Sequence, residues 1–314
     1  MKLLSAAILV VGLVTVGQTR ALVESRGVRP LRIALLPFED RAGFQGEWNL
    51  ATDVPALLGK YLSDVASVEV ISMDVVVAAV KAKKLEDFKY NKDVVRIGRD
   101  LAADIVIAGI VERFGTRRRT VGDPNLINYK AYSSQIELTN VRLIRAVNEK
   151  EVDSFDISNE SEEKPLGLDL FGKPRQQDRE FRELFKVEFG SERFFELQLG
   201  KLVDEVFEDL SLRITRALIE RSPIDLSGET AKILSVDDDE VFLGIGSQNH
   251  VEYGDVIPVY DEEGAQMALV EVNEVLGSQM SRARVVERVG PIAVGSRLGQ
   301  RVSQIEIKSP GEKE

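Results

Sequence analysis

Apolar positions are unevenly spread along the chain. Residues 31–40, LRIALLPFED, place Leu31, Ile33, Ala34, Leu35 and Leu36 in close succession before Pro37 and Phe38 end the run. A continuous apolar run closed by a breaker predicts a central strand buried on both faces. Residues 50–65 then repeat apolar side chains at Leu50, Val54, Leu57, Leu58, Leu62 and Val65, the spacing of an amphipathic helix, with Pro55 tolerated in its early turns. Residues 68–72, VEVIS, alternate and are β-branched, which predicts a second strand. Strand, helix and strand with short links read as a βαβ unit with parallel strands. Two short helices are predicted over 74–82 and 93–101, and a third buried strand over 104–114, where Gly109 permits close approach of a neighbour. Residues 130–146 and 151–160 alternate on either side of a turn at 147–150, which predicts an antiparallel hairpin.

Two stretches of this first region break the pattern. Residues 115–128 read as a polar link carrying Arg117, Arg118 and Arg119, and 161–191 as a charged, flexible insertion interrupted by Pro165 and Pro174. The longest helix is predicted over 194–219, with Phe195, Leu199, Leu202, Val206, Leu210, Ile214 and Leu218 as a core stripe. Beyond a linker at 223–227 the period changes to two. Residues 231–236, 240–244, 255–260, 268–276, 281–287 and 293–298 predict short strands separated by strong turn chemistry. The expected fold class is therefore α/β (α+β): a mixed sheet with helices over 30–222, then a small all-β barrel over 228–304, with a solvated tail from 305 to 314.

The first 21 residues change the setting. Lys2 precedes an apolar core over 3–16, and Thr19 and Ala21 put small residues at the −3 and −1 positions of a cut after Ala21. That matches a cleaved secretory signal peptide; the alternative is a retained anchor, for which the core is shorter than the ~20 residues of a full span. No second segment approaches spanning length, so a periplasmic protein with no transmembrane segment in its mature chain is expected, with outer-membrane association left open.

Composition removes several chemistries. The net charge of −11 argues against general nucleic-acid binding, which needs positive charge to displace counterions. There is no cysteine, and His250 is the sole histidine, so thiol chemistry, Cys-based metal sites and His-rich sites are excluded. Asp237, Asp238, Asp239 and Glu240 are adjacent, whereas calcium loops space their acids at alternate positions, so a hairpin turn is expected there. Gly244 and Gly246 begin a dinucleotide-like string, but Asn249 stands where the third glycine belongs. No cofactor and no catalytic or metal-binding residue is expected.

Ile33 to Phe38 reads I-A-L-L-P-F, and Ile97 to Val111 reads IGRDLAADIVIAGIV ahead of a long hairpin. Together they resemble the α/β domain shared by the TolB amino-terminal region, the lipoprotein activators of penicillin-binding proteins and the curli secretion protein CsgG. The resemblance spans about residues 30–220 and implies an envelope assembly or interaction module, not an enzyme. The chain departs from CsgG-like pores in lacking an N-terminal cysteine and membrane-type hairpins, so a pore is not expected. Val241 to Gly246 and Val251 to Tyr260 resemble the C-terminal domain of the flagellar assembly protein FlgT.

These readings converge on an exported, non-enzymatic assembly or scaffold protein of a cell-envelope complex of flagellar, curli-like or polysaccharide-export type. It would act by protein–protein recognition, with envelope assembly proteins as partners and a homo-oligomer left open. The rival is a periplasmic small-ligand-binding protein or enzyme whose pocket leaves no motif. The candidate partner-binding residues are Phe44 and Trp48 in the polar loop after the first strand, with Arg117, Arg118 and Arg119. Aromatic residues in such a loop either anchor a partner or tuck beneath it.

Overall fold

A βαβ unit starts the first half of the fold. The structure is a computed structural model that describes residues 29–83, 88, 90–122, 128–163 and 176–305. The expected signal peptide at 1–21, most of the expected tail and residues 164–175 of the expected insertion lie outside the described residues. In chain order the first region contains β1 (Leu31–Leu35), β2 (Glu39–Asp40), α1 (Leu50–Val65), β3 (Val68–Val70), α2 (Met73–Lys83) and α3 (Asn91–Asp100). It continues with β4 (Ile105–Gly122), β5 (Asn128–Arg145), β6 (Glu151–Glu163), α4 (Gln176–Glu183), α5 (Glu192–Glu196) and α6 (Gln198–Ile219). The sheet runs β3-β1-β4-β5-β6, with β2 beside β4; β1 is parallel to β3 and β4, and β4, β5 and β6 are antiparallel.

The apolar run of β1 is buried on both faces because helices cover both. Ile33 and Leu35 join Leu58, Leu62, Leu202 and Phe207 under α1 and α6, while Ala34 and Leu36 join Val76, Val95 and Ile97 under α2 and α3. Gly109 lets Phe38 lie across β4: an added Cβ would stand 3.1 Å from its ring and 3.2 Å from Val141.

Three expectations change in this region. The predicted link at 115–128 is mostly strand: β4 runs to Gly122 and pairs with β5 down to Asn128. Thr116, Arg117, Arg118 and Arg119 alternate between the two faces of the ribbon that β4 forms with β5, and so the cross-strand pairing outweighs the local polarity. The expected insertion at 161–191 holds α4; its Phe181 packs toward the ribbon, and Leu184, just past its end, joins the main core. The long helix is split at Leu197, where extended backbone separates α5 from α6, and Ser191 caps α5 by accepting from Phe194 N–H at 3.2 Å.

The second region contains β7 (Ile233–Asp237), β8 (Glu240–Leu243), β9 (Val256–Tyr260), β10 (Gln266–Val275), β11 (Ser281–Arg288) and β12 (Arg297–Leu298) in the order β12-β9-β10-β11-β8-β7. The curled sheet nearly closes, since Ile233 N–H donates to Ser296 at 3.0 Å and Gly295 N–H to Ile233 at 2.8 Å. Asp237 pairs with Glu240 across a tight turn in which Asp238 has φ 50°, so the run of acids is a hairpin turn. The two regions are in contact. Ile305 returns from the second to pack in the main core of the first, and Arg29 reaches Glu271 at 3.9 Å.

Candidate functional site

Past the helical layers the first sheet continues as a ribbon. β4 pairs with β1 over Ile105–Ile107 and with β2 at Ile110 and Val111; beyond that, among the described residues, its one strand partner is β5. The outer covering by α2 and α3 ends near Ala108 and Ile144, where Arg142 donates to Asn91 Oδ1 at 2.7 Å and to Phe88 O at 2.6 Å. Farther along, the outer face presents Arg113, Arg117 and Arg119 beside Glu137, Gln135, Ser133 and Glu160. Arg113 pairs with Glu137 at 3.1 Å, Arg117 Nε donates to the Gln135 amide oxygen at 3.0 Å, and Ser133 donates to Glu160 at 2.8 Å.

The inner face is different. Alternation turns Phe114, Thr116 and Arg118 inward. Arg118 sits over the Phe181 ring at 5.5 Å, next to Tyr132, which donates to Asp178. Burial and that hydrogen bond push the Tyr132 hydroxyl up to about 12. Phe44 and Trp48 lie on this side too. Their rings stack at 4.6 Å; Phe44 also stacks on Phe185, and Trp48 meets Phe114, Phe189 and Phe194 edge-on. Trp48 Nε1 donates to Val187 O at 2.8 Å. Gly115, at φ +125°, lets Phe44 close on the ribbon: an added Cβ would stand 3.3 Å from its ring. The rings therefore tuck under the loop and tie residues 185–194 to the ribbon; Arg117, Arg118 and Arg119 are the exposed members of the expected set, with Arg117 and Arg119 on the outer face.

A second cluster, absent from the sequence reading, lies in the seam between the two sheets. Glu252 accepts from Lys150 Nζ at 2.6 Å, from Arg221 Nη2 at 2.6 Å, and pairs with Arg145 Nε at 3.1 Å. Asp255, whose side chain is 0% exposed, lies 2.6 Å from Arg221 Nη1 and 3.3 Å from Arg301 Nη1, and accepts from Glu252 N–H at 2.9 Å. Arg301 Nη2 donates to His250 O at 2.6 Å, so the single histidine serves here through its backbone. Burial pushes Glu252 up, but Lys150, Arg145 and Arg221 together outweigh it and bring it to about 2. Burial lowers Arg145, with Arg221 adding to the effect, and burial also lowers Arg301. The sequence signal for this cluster was slight: Asp255 follows Gly254 in a turn, and Arg145, Arg221 and Arg301 are far apart in the chain.

Among the described residues no group of three or more His, Cys, Asp or Glu is placed to hold a metal ion. No described helix is long and apolar enough to cross a membrane. The fold and these two arginine groups define a mixed α/β domain joined to a curled antiparallel sheet.

No protein-family model and no curated protein sequence matches the chain. Solved structures do show similarity. The hypothetical protein CT253 from Chlamydia trachomatis is 13% identical, with 59% of this chain and 95% of that one covered, at a TM-score of 0.35. The lipoprotein GNA1162 from Neisseria meningitidis is 17% identical over 46% of this chain and 91% of that one, at 0.30. The LpoB C-terminal domain from Salmonella enterica is 13% identical over 43% and 86%, at 0.27. Likenesses at these scores carry no argument about function.

Proposed function

We propose that the protein is an exported, non-enzymatic assembly or scaffold component of a bacterial cell-envelope complex, acting by protein–protein recognition. The flagellar, curli-like and polysaccharide-export settings, and the TolB-like, CsgG-like and FlgT-like readings of the two regions, belong to this proposal. The observation that carries it is the outer face of the ribbon, where a sheet surface bearing Arg113, Arg117 and Arg119 lies beyond the helices that cover that face along β1 and the first part of β4. The arginine row steers an acidic partner surface, and its contribution falls as salt screens it. The apolar segment at 3–16 supports export.

The test replaces Arg113, Arg117 and Arg119 together with Ser and cross-links the protein in its native envelope. The melting temperature is expected to hold. Recovery of the cross-linked partner is expected to fall, more at low salt than at high salt. Unchanged recovery at both salt levels rejects the ribbon as the recognition surface.

A further inference from the structure

The seam holds more positive than negative charge. Arg145, Lys150, Arg221 and Arg301 converge on Glu252 and Asp255, in a chain whose net charge is −11. The guanidinium-bearing side chains are only 13–18% exposed. Nearby acids are engaged elsewhere: Glu274 with Arg282 at 2.7 Å, and Asp104 with Arg29 at 2.7 Å. Surplus charge withdrawn from water is costly unless a counter-charge meets it.

Space for a counter-charge adjoins the cluster. Arg145, Arg221 and Arg301 border a cleft of about 670 Å³ on one side and a smaller cavity of about 170 Å³ on the other. Arg301 Nε is buried and has no acceptor among the described residues. Asn273 borders the larger cleft, and its Oδ1 is buried with no donor among the described residues.

We propose that the seam is a binding site for a small dianionic oxyanion of the phosphate class, held by Arg145 and Arg301 with Lys150 at the rim. The planar guanidinium fork matches phosphate oxygens two at a time, and burial strengthens each such contact. Asn273 Oδ1 accepts from the protonated oxygen of monohydrogen phosphate or from a hydroxyl of a phosphate ester. Because its ligands come from both sheets, an occupant stabilises their union. This inference does not depend on the ribbon surface.

Inorganic phosphate and glycerol 3-phosphate are titrated calorimetrically into the full chain, and its melting is followed with each. Saturable heat and a rising melting temperature are expected. Equal affinity for the two points to free phosphate, and tighter binding of the ester points to a phosphate monoester. Arg301→Gln is expected to weaken binding about tenfold, and Glu252→Gln, which removes a competing carboxylate, to tighten it. Absence of saturable binding of both ligands by the unsubstituted protein overturns the proposal. So does equal affinity in a folded Arg301→Gln variant. The unsubstituted titration decides the matter even where a variant fails to fold.

Discussion

The molecule carries two groups of arginines that arise in opposite ways. Arg117, Arg118 and Arg119 are consecutive, exposed, and divided by strand alternation between two faces of one ribbon. Arg145, Arg221 and Arg301 come from a strand end, a linker and the end of the barrel, and meet in the seam around two carboxylates. Adjacency in sequence thus yields three residues with separate jobs, while residues far apart yield one coupled cluster. Exposed charges contribute little to folding and are screened by salt; buried ones are costly to unpair. The groups should therefore differ sharply when perturbed.

The largest effect is expected at Asp255. Its carboxylate is fully buried, faces Arg221 and Arg301, and holds the Glu252 N–H. Asp255→Ala leaves buried guanidiniums short of a counter-charge and is expected to destabilise by about 3–5 kcal/mol in urea unfolding. A loss no greater than that of an exposed ion pair would dissolve the contrast between the groups.

Next comes the aromatic packing that ties the loop to the ribbon. Trp48 is half-buried against Phe44, Phe114 and Phe194 and donates to Val187 O. Trp48→Ala is expected to cost about 2–3 kcal/mol, below the usual range for a large aromatic because the ring is not wholly buried. It should also speed proteolysis within residues 185–194. Full stability in this variant would return Trp48 to the role of an exposed partner anchor.

A smaller effect follows from pH. Glu252 sits near 2 when folded, below its ordinary value of 4.5. A depressed carboxylate adds stability that is present above its unfolded value and lost as pH falls toward its folded value, so the loss runs from about 4.5 down to 2. Allowing for solvent screening of the partly exposed pair with Lys150, about 1–2 kcal/mol is at stake. Glu252→Gln should flatten stability across that window; an unchanged slope would remove Glu252 as its source.

Much of the fold was legible because burial leaves a period. The residues of α1, the βαβ order, the hairpin of β5 and β6 and the six short strands of the barrel all follow from apolar spacing and turn residues. The extension of β4 through Thr116, Arg117 and Arg118 was not legible, because its partners lie across the ribbon and its own side chains are polar. The aromatic cluster was half legible: Phe44 and Trp48 stood out, but their partners at 185–194 lie in a segment without a sustained period. The seam was illegible for a different reason. Arg145, Glu252, Asp255 and Arg301 acquire their meaning only from the way two sheets are brought together, and no local pattern records that.

The finest contrast lies within the consecutive row itself. Arg118 faces Phe181 at 5.5 Å and stands beside the Tyr132–Asp178 pair, whereas Arg117 lies on the outer face against Gln135. A cation over an aromatic ring at an exposed site contributes about 0.5–1 kcal/mol, so Arg118→Ala is expected to lower stability by that amount. Its alkyl stem also covers the ring, so part of the loss should persist in high salt. Arg117→Ala removes two hydrogen bonds to the Gln135 amide oxygen but opens that oxygen to water, and is expected to stay within about 0.5 kcal/mol of the parent. Both are read by urea unfolding at low and high salt. Phe181→Leu should abolish the difference between the two arginine variants, because it removes the ring that distinguishes them. If Arg117 and Arg118 respond alike with Phe181 in place, the row is one solvated unit and strand alternation does not divide its roles.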